Sequence, residues 1–246
     1  MASKANAVTQ RTARPEGRTV WVLFAILSLM ILATIAPWFV DQGPNFNGYG
    51  GADYRLYMDT TARWLSGGPF YEPAQVAGSY PITFGMILYP PVALWLFVPF
   101  TFLPAALWWA VPLGLTAWAI HRLRPRFVVW PLLALCVASP PTIIRLTTGN
   151  PVIWAVAALA VGVVTVGPAV FVLLKPSLAP FAFWGARQRR WWAYAAAFAL
   201  LSLPFGLMWA DWLRSVLNAQ AGVAYSLQEV PMLLFPVIAW IGRRSG

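Results

Sequence analysis

The chain has 246 residues, 60 % of them hydrophobic and 10 % charged, with a formal net charge of +10. Soluble domains are nearer half apolar and a quarter charged, so the composition argues against a soluble globular domain, a disordered chain or a disulfide scaffold, and favours a membrane protein with several spans. One cysteine, Cys136, and one histidine, His121, leave no metal cluster, no intrachain disulfide and no site needing two imidazoles. No cofactor is expected.

In chain order, residues 1–19 are polar and basic, with Lys4, Arg11, Arg14 and Arg18. Residues 20–40 form an apolar run long enough to cross a bilayer and too long for a signal-peptide core, which predicts a retained anchor with a cytoplasmic N-terminus. Residues 20–246 are read as one membrane domain. Residues 41–83 are polar, rich in Gly and Tyr, and carry Asp41, Asp53, Asp59 and Glu72. With the proline-broken segment 84–103, read as an interfacial or re-entrant helix, they form a first extracytoplasmic loop over residues 41–104.

Within that loop, Tyr54, Tyr57, Met58, Thr61, Trp64 and Leu65 share one face of an expected helix, while Arg55, Asp59 and Arg63 share the other as i,i+4 partners. Such an amphipathic helix is suited to the membrane surface. Asp53 stands at its start, where it serves either as an N-cap or as a carboxylate held at the bilayer edge and available as a general base. The default reading of Asp59 is a solvated partner of Arg55 or Arg63.

Further apolar segments follow at 105–120, 127–138, 151–166, 169–184, 191–209 and 230–241. The basic stretches between them, residues 121–126, 187–190 and 243–244, together with the N-terminus hold most of the 17 Lys and Arg. This segregation fits cytoplasmic loops under the positive-inside rule better than a nucleic-acid groove, and no nucleic-acid partner is expected. Alternating sides predicts roughly seven or eight crossings, with two half-helices meeting at Lys175-Pro176 inside a cavity. Lys175 is either a functional cation at membrane depth or a snorkelling side chain. Arg145 is either a second such cation or an interfacial anchor. Facing one outer cavity, the two would neutralise a phosphate or diphosphate. The 15 Trp and 22 Pro are architectural, and no nucleotide or metal fingerprint is present.

The order of these features resembles a known family. Asp53-x-x-x-Tyr57 is followed by Leu65-x-Gly67-Gly68-x-x-Tyr71, Tyr89-Pro90-Pro91, Pro99, Leu103-Pro104, Gly149-Asn150, Leu174-Lys175-Pro176 and a basic turn at 187–190. The pattern is similar to the integral-membrane GT-C glycosyltransferases, nearest to the family 87 group that uses polyprenol-phosphate sugars for mannosyl- and arabinosyl-type transfer. The resemblance implies an all-α polytopic bundle with interfacial helices on the outer face. It also implies an inverting transfer from a polyprenyl-phosphate sugar to an extracytoplasmic glycan or glycolipid acceptor in the cytoplasmic membrane. It makes Asp53 the acceptor-activating base and places Arg145 and Lys175 on the donor phosphate. Tyr57, Asp59, Arg55 and Asn150 are the remaining expected substrate contacts. Members of that group run longer, so a protein partner supplying a C-terminal half is also expected. The alternatives are a non-catalytic GT-C-like membrane subunit and a protein that binds or transports lipid-linked sugars.

Overall fold

The computed structural model describes residues 50–83, 85–220 and 223–244, with the side chains of 223–225 excepted. The tail at 1–19 and the expected first span at 20–40 lie outside the described residues, as does Phe84. The described chain is all-α. Isolated bridges, Tyr80 with Ala219 and Pro125 with Arg243, are its extended pairings.

Helix α1 is Ala52–Leu65, entered through Gly51 at φ 70°, whose N–H donates to the Thr147 carbonyl at 2.8 Å. Tyr57, Met58 and Thr61 on its apolar face are buried. That face is therefore covered by protein, chiefly α3 (Leu94–Phe100), and does not lie bare on a membrane surface as its amphipathic pattern suggested. The short helix α2, Pro73–Ala77, opens with a capping box between Glu72 and Gln75. The fully buried Gln75 amide donates to Tyr80 Oη and to the Ile87 carbonyl, both at 3.0 Å, which holds the loop around it together. The 3-10 turn Pro91–Ala93 leads into α3, and ten helical residues rise only about 15 Å. The helical part of the segment 84–103, Pro91–Phe100, is by itself too short to cross a membrane.

Helix α4, Ala106–Leu123, extends past the expected 105–120 and takes in His121 and Arg122. Cations in a last helical turn meet the negative end of the dipole, which favours this extension over a loop. Arg124 ends it at φ 47°. Helices α5 (Trp130–Ala138) and α6 (Pro140–Thr148) meet at a 60° bend at Ser139. Helix α7, Val152–Thr165, is the hub. It packs on α4, on the 3-10 segment Gly167–Leu174 and on the last helix, α11 (Val230–Ile241).

The return from α7 is tight. Val166 sits at φ 81°, a rare conformation for a β-branched residue, and a Cβ on Gly162 would fall 2.6 Å from the Ala169 Cβ. Gly162→Val is therefore expected to cost about 1–3 kcal/mol by overpacking, read as a lower unfolding midpoint in detergent. The expected half-helix before Lys175 is 3-10 rather than α. Pro168 and Pro176 both fall in first-turn positions, so the chain breaks at Lys175 as expected. Beyond the four-residue α8 (Ala179–Ala182), the expected span at 191–209 divides in two. Helix α9 is Arg189–Ser202 and α10 is Met208–Asn218, and the pair bends by 97° around Pro204 and Gly206.

Among the described residues no single helix is long and apolar enough to cross a membrane, while the bent pairs α5–α6 and α9–α10 pass by length and composition. The bundle has two chemically different ends. Arg126 N–H donates to the Gly242 carbonyl at 2.8 Å, and Trp184 meets Trp240 edge-on at 4.7 Å. Gly185 closes on Val166 past the end of α7. The stretches 121–126, 184–190 and 240–244 therefore gather beyond the C-terminus of α7. The N-terminus of α7, roughly 21 Å away, carries Asn150.

Candidate functional site

Asp53 is in the first turn of α1, inside the helix, and the cap position belongs to Gly51. Its carboxylate is therefore released from capping and reaches across to the junction between α6 and α7. Its Oδ2 accepts from Thr148 Oγ1 at 2.9 Å and from Asn150 Nδ2 at 2.7 Å. Both bonds fall on one oxygen, which fixes the carboxylate and leaves Oδ1 for another donor.

Asn150 is the pivot. Its Oδ1 accepts from the Val152 N–H at 3.1 Å, starting α7, and from Tyr89 Oη at 3.2 Å. The Gly149 that precedes it is held open for packing: at φ 72° a Cβ there would fall 2.5 Å from Trp109. The Gly149 carbonyl accepts from Trp108 Nε1 at 2.7 Å. Asn150→Ala removes the donor to Asp53 and the side-chain acceptor at the helix start, so a loss of about 1–2 kcal/mol is expected. Asn150→Asp, which sets a second carboxylate against Asp53, is expected to cost more than Asn150→Ala. Denaturant unfolding of the two variants beside the parent checks the order.

Tyr89 links this carboxylate to the cations. Its ring packs edge-on against Tyr57 at 5.3 Å and lies 5.6 Å from Lys175 Nζ, and its carbonyl accepts from Tyr71 Oη at 2.8 Å. Burial raises the Tyr71 pKa, with Asp211 adding to the rise, so this phenol stays a hydrogen-bond donor across the physiological range. Lys175 is buried at the 3-10 break and bonds Glu229 Oε1 at 2.5 Å, and Arg145 Nε approaches the same oxygen at 3.2 Å. Glu229 is fully buried, and its Oε2 has no hydrogen-bond partner among the described residues. Glu229, Lys175 and Arg145 thus form a buried charge cluster that meets the Asp53–Asn150 junction through Tyr89.

The structure brings together five of the residues singled out in the sequence, Asp53, Tyr57, Asn150, Arg145 and Lys175, and separates two. Arg55 and Asp59 project from the opposite face of α1, where they line a polar cavity of about 430 Å³ with Thr60, Arg63 and Glu72. Arg63 is not held for Asp59, because its guanidinium bonds Glu72 at 2.5 Å and the Pro69 carbonyl at 3.0 Å. Arg55 donates to the Gly50 carbonyl at 2.8 Å. Sequence reasoning missed Glu229, Thr148 and the role of Tyr89. Glu229 carried a signal, since an acid at the head of an apolar run meets the same criterion that singled out Lys175. Among the described residues no group of His, Cys, Asp and Glu is arranged to hold a metal ion.

Comparison of the chain with protein-family models, with characterised proteins and with solved structures gives no match.

Proposed function

We propose that this chain is a GT-C-like membrane glycosyltransferase of the family 87 type, which moves a sugar from a polyprenyl-phosphate donor to an extracytoplasmic glycan or glycolipid acceptor. The observation that carries this reading is the joining of the Asp53 carboxylate to Lys175 through Asn150 and Tyr89, with Arg145 beside Lys175 on the shared Glu229 oxygen. Transfer to a hydroxyl needs a base for the incoming proton and positive charge for the departing phosphate, set near each other.

In the reaction the acceptor oxygen attacks the anomeric carbon while Asp53 takes its proton. The bond from that carbon to the phosphate oxygen breaks on the opposite side, with inversion. The electron pair leaves with the lipid phosphate, whose charge Lys175 and Arg145 stabilise.

A membrane setting is supported by apolar side chains left open to the surroundings, among them Leu207, Phe102, Leu217 and Leu203, each more than two thirds exposed. Soluble monomers rarely leave so much apolar surface uncovered. The basic end of the bundle supports a cytoplasmic membrane orientation with the Asp53 site extracytoplasmic and the N-terminus inside. One observation favours a second reading. Glu229 already neutralises both cations, as it would in a non-catalytic subunit or a carrier that binds lipid-linked sugar.

The test is to incubate the purified full chain with a panel of polyprenyl-phosphate sugars and to measure release of polyprenyl phosphate and appearance of glycoside. Turnover supports the enzyme. Binding of the donors without turnover, in folded protein, overturns it in favour of the second reading.

A further inference from the structure

A second site lies at the other end of the bundle. Between α4, α5, α6, α7 and α11 runs a groove of about 730 Å³, within the usual range for ligand cavities. Its wall is apolar along most of its length, with Leu113, Ile120, Trp130, Val137, Val156 and Phe235. Leu113, Trp130 and Val137 are more than one third exposed, so the groove opens sideways along the bundle. At one end its lining changes to His121, Arg124 and Arg244. Both arginines are exposed, and among the described residues no carboxylate lines the groove and no ion pair engages either of them. Arg122, Arg126 and Arg243 add positive charge around the same mouth.

Water does not wet the interior of such a slot favourably, and its mouth calls for an anion. The occupant that satisfies both has an apolar chain joined to one negative head group. The cationic mouth lies at the end of α7 remote from Asp53 and Asn150, while the groove's inner end, lined by Thr142, Leu146 and Ile153, reaches toward the level of Asn150, so the head-group position is what separates this site from the donor site; the inference rests on the membrane orientation proposed above and not on sugar transfer.

We propose that the groove binds an acidic glycerophospholipid of the inner leaflet, with one acyl chain along α4 and α11 and the phosphate between Arg124 and Arg244. Guanidinium groups suit phosphate because they present paired donors, and a basic patch at a membrane surface gains attraction with each added cation.

The experiment uses the full chain in detergent with phosphatidylglycerol or phosphatidylcholine of identical acyl chains, and reads retained lipid by native mass spectrometry. Arg124→Asn tolerates the left-handed backbone there, and Ala117→Trp places bulk from an exposed position into the groove. Retention of phosphatidylglycerol over phosphatidylcholine is expected. Arg124→Asn with Arg244→Gln is expected to weaken phosphatidylglycerol by about 30-fold, at about 5-fold per cation, and Ala117→Trp to lower retention of both lipids. A photocrosslinker at Leu113 is expected to label lipid. Equal retention of the two lipids by the parent, or phosphatidylglycerol retention unchanged in the variants, overturns the proposal. So does a crosslink from Leu113 to residues 20–40, which would show that the chain's own apolar segment fills the groove.

Discussion

Asp53→Asn is expected to lower sugar transfer by about 10²–10⁴-fold, the usual contribution of a positioned general base, while leaving the fold intact. The hydrogen-bond pattern gives the reason for both halves of that expectation. Thr148 Oγ1 and Asn150 Nδ2 both donate to the same carboxylate oxygen. An asparagine with its carbonyl oxygen in that place accepts both bonds, so the junction of α1 with α6 and α7 is kept. What disappears is the negative charge and the capacity to accept a proton at the other oxygen. Turnover measured with the best donor of the panel, beside the unfolding midpoint in the same detergent, separates chemistry from folding. Unchanged turnover in folded Asp53→Asn protein would remove Asp53 from the mechanism. A matching fall in stability would instead make the carboxylate a structural acceptor.

Much of this arrangement could be read from the chain, and the parts that could not have identifiable physical reasons. The helical character follows from apolar runs punctuated by proline and glycine, and the break at Lys175 follows from Pro176 and a cation in an apolar stretch. The bend between α9 and α10 was missed because residues 191–209 are apolar throughout. Hydropathy does not register Pro204 and Gly206 as a corner, although their chemistry signals one. Asp53 looked like a helix cap because caps favour aspartate. A glycine with positive φ starts the helix two residues earlier and frees the carboxylate for Thr148 and Asn150. The partition of α1 into a buried face and a polar one was legible from its spacing, but what covers the buried face is a tertiary matter, settled by α3. Glu229 was overlooked because it lies at a helix margin, where acids are ordinary. Only the fold shows that it faces two cations from segments 54 and 84 residues away in the chain.

Removing Glu229 is expected to be the most damaging change to stability. One buried carboxylate oxygen serves both Lys175 and Arg145, so the cluster is asymmetric. Lys175→Met leaves Arg145 paired with Glu229, and a methionine side chain fills most of the vacated volume. Glu229→Gln leaves two enclosed cations with no carboxylate between them. It also puts an amide N–H₂ where Oε2 has no hydrogen-bond partner among the described residues, or turns that N–H₂ toward the cations. Breaking a buried pair by deleting one partner costs about 3–5 kcal/mol because the remaining charge is uncompensated. The expected order of loss is therefore Glu229→Gln well above Lys175→Met. The double variant should recover part of the loss, with a coupling of about 0.5–3 kcal/mol. Chemical unfolding of the three variants in one detergent gives the cycle. If Lys175→Met proves the costlier change, or if the two losses simply add, then Glu229 is not what holds the cations in place. The donor phosphate would then enter a site whose positive charge is balanced from elsewhere.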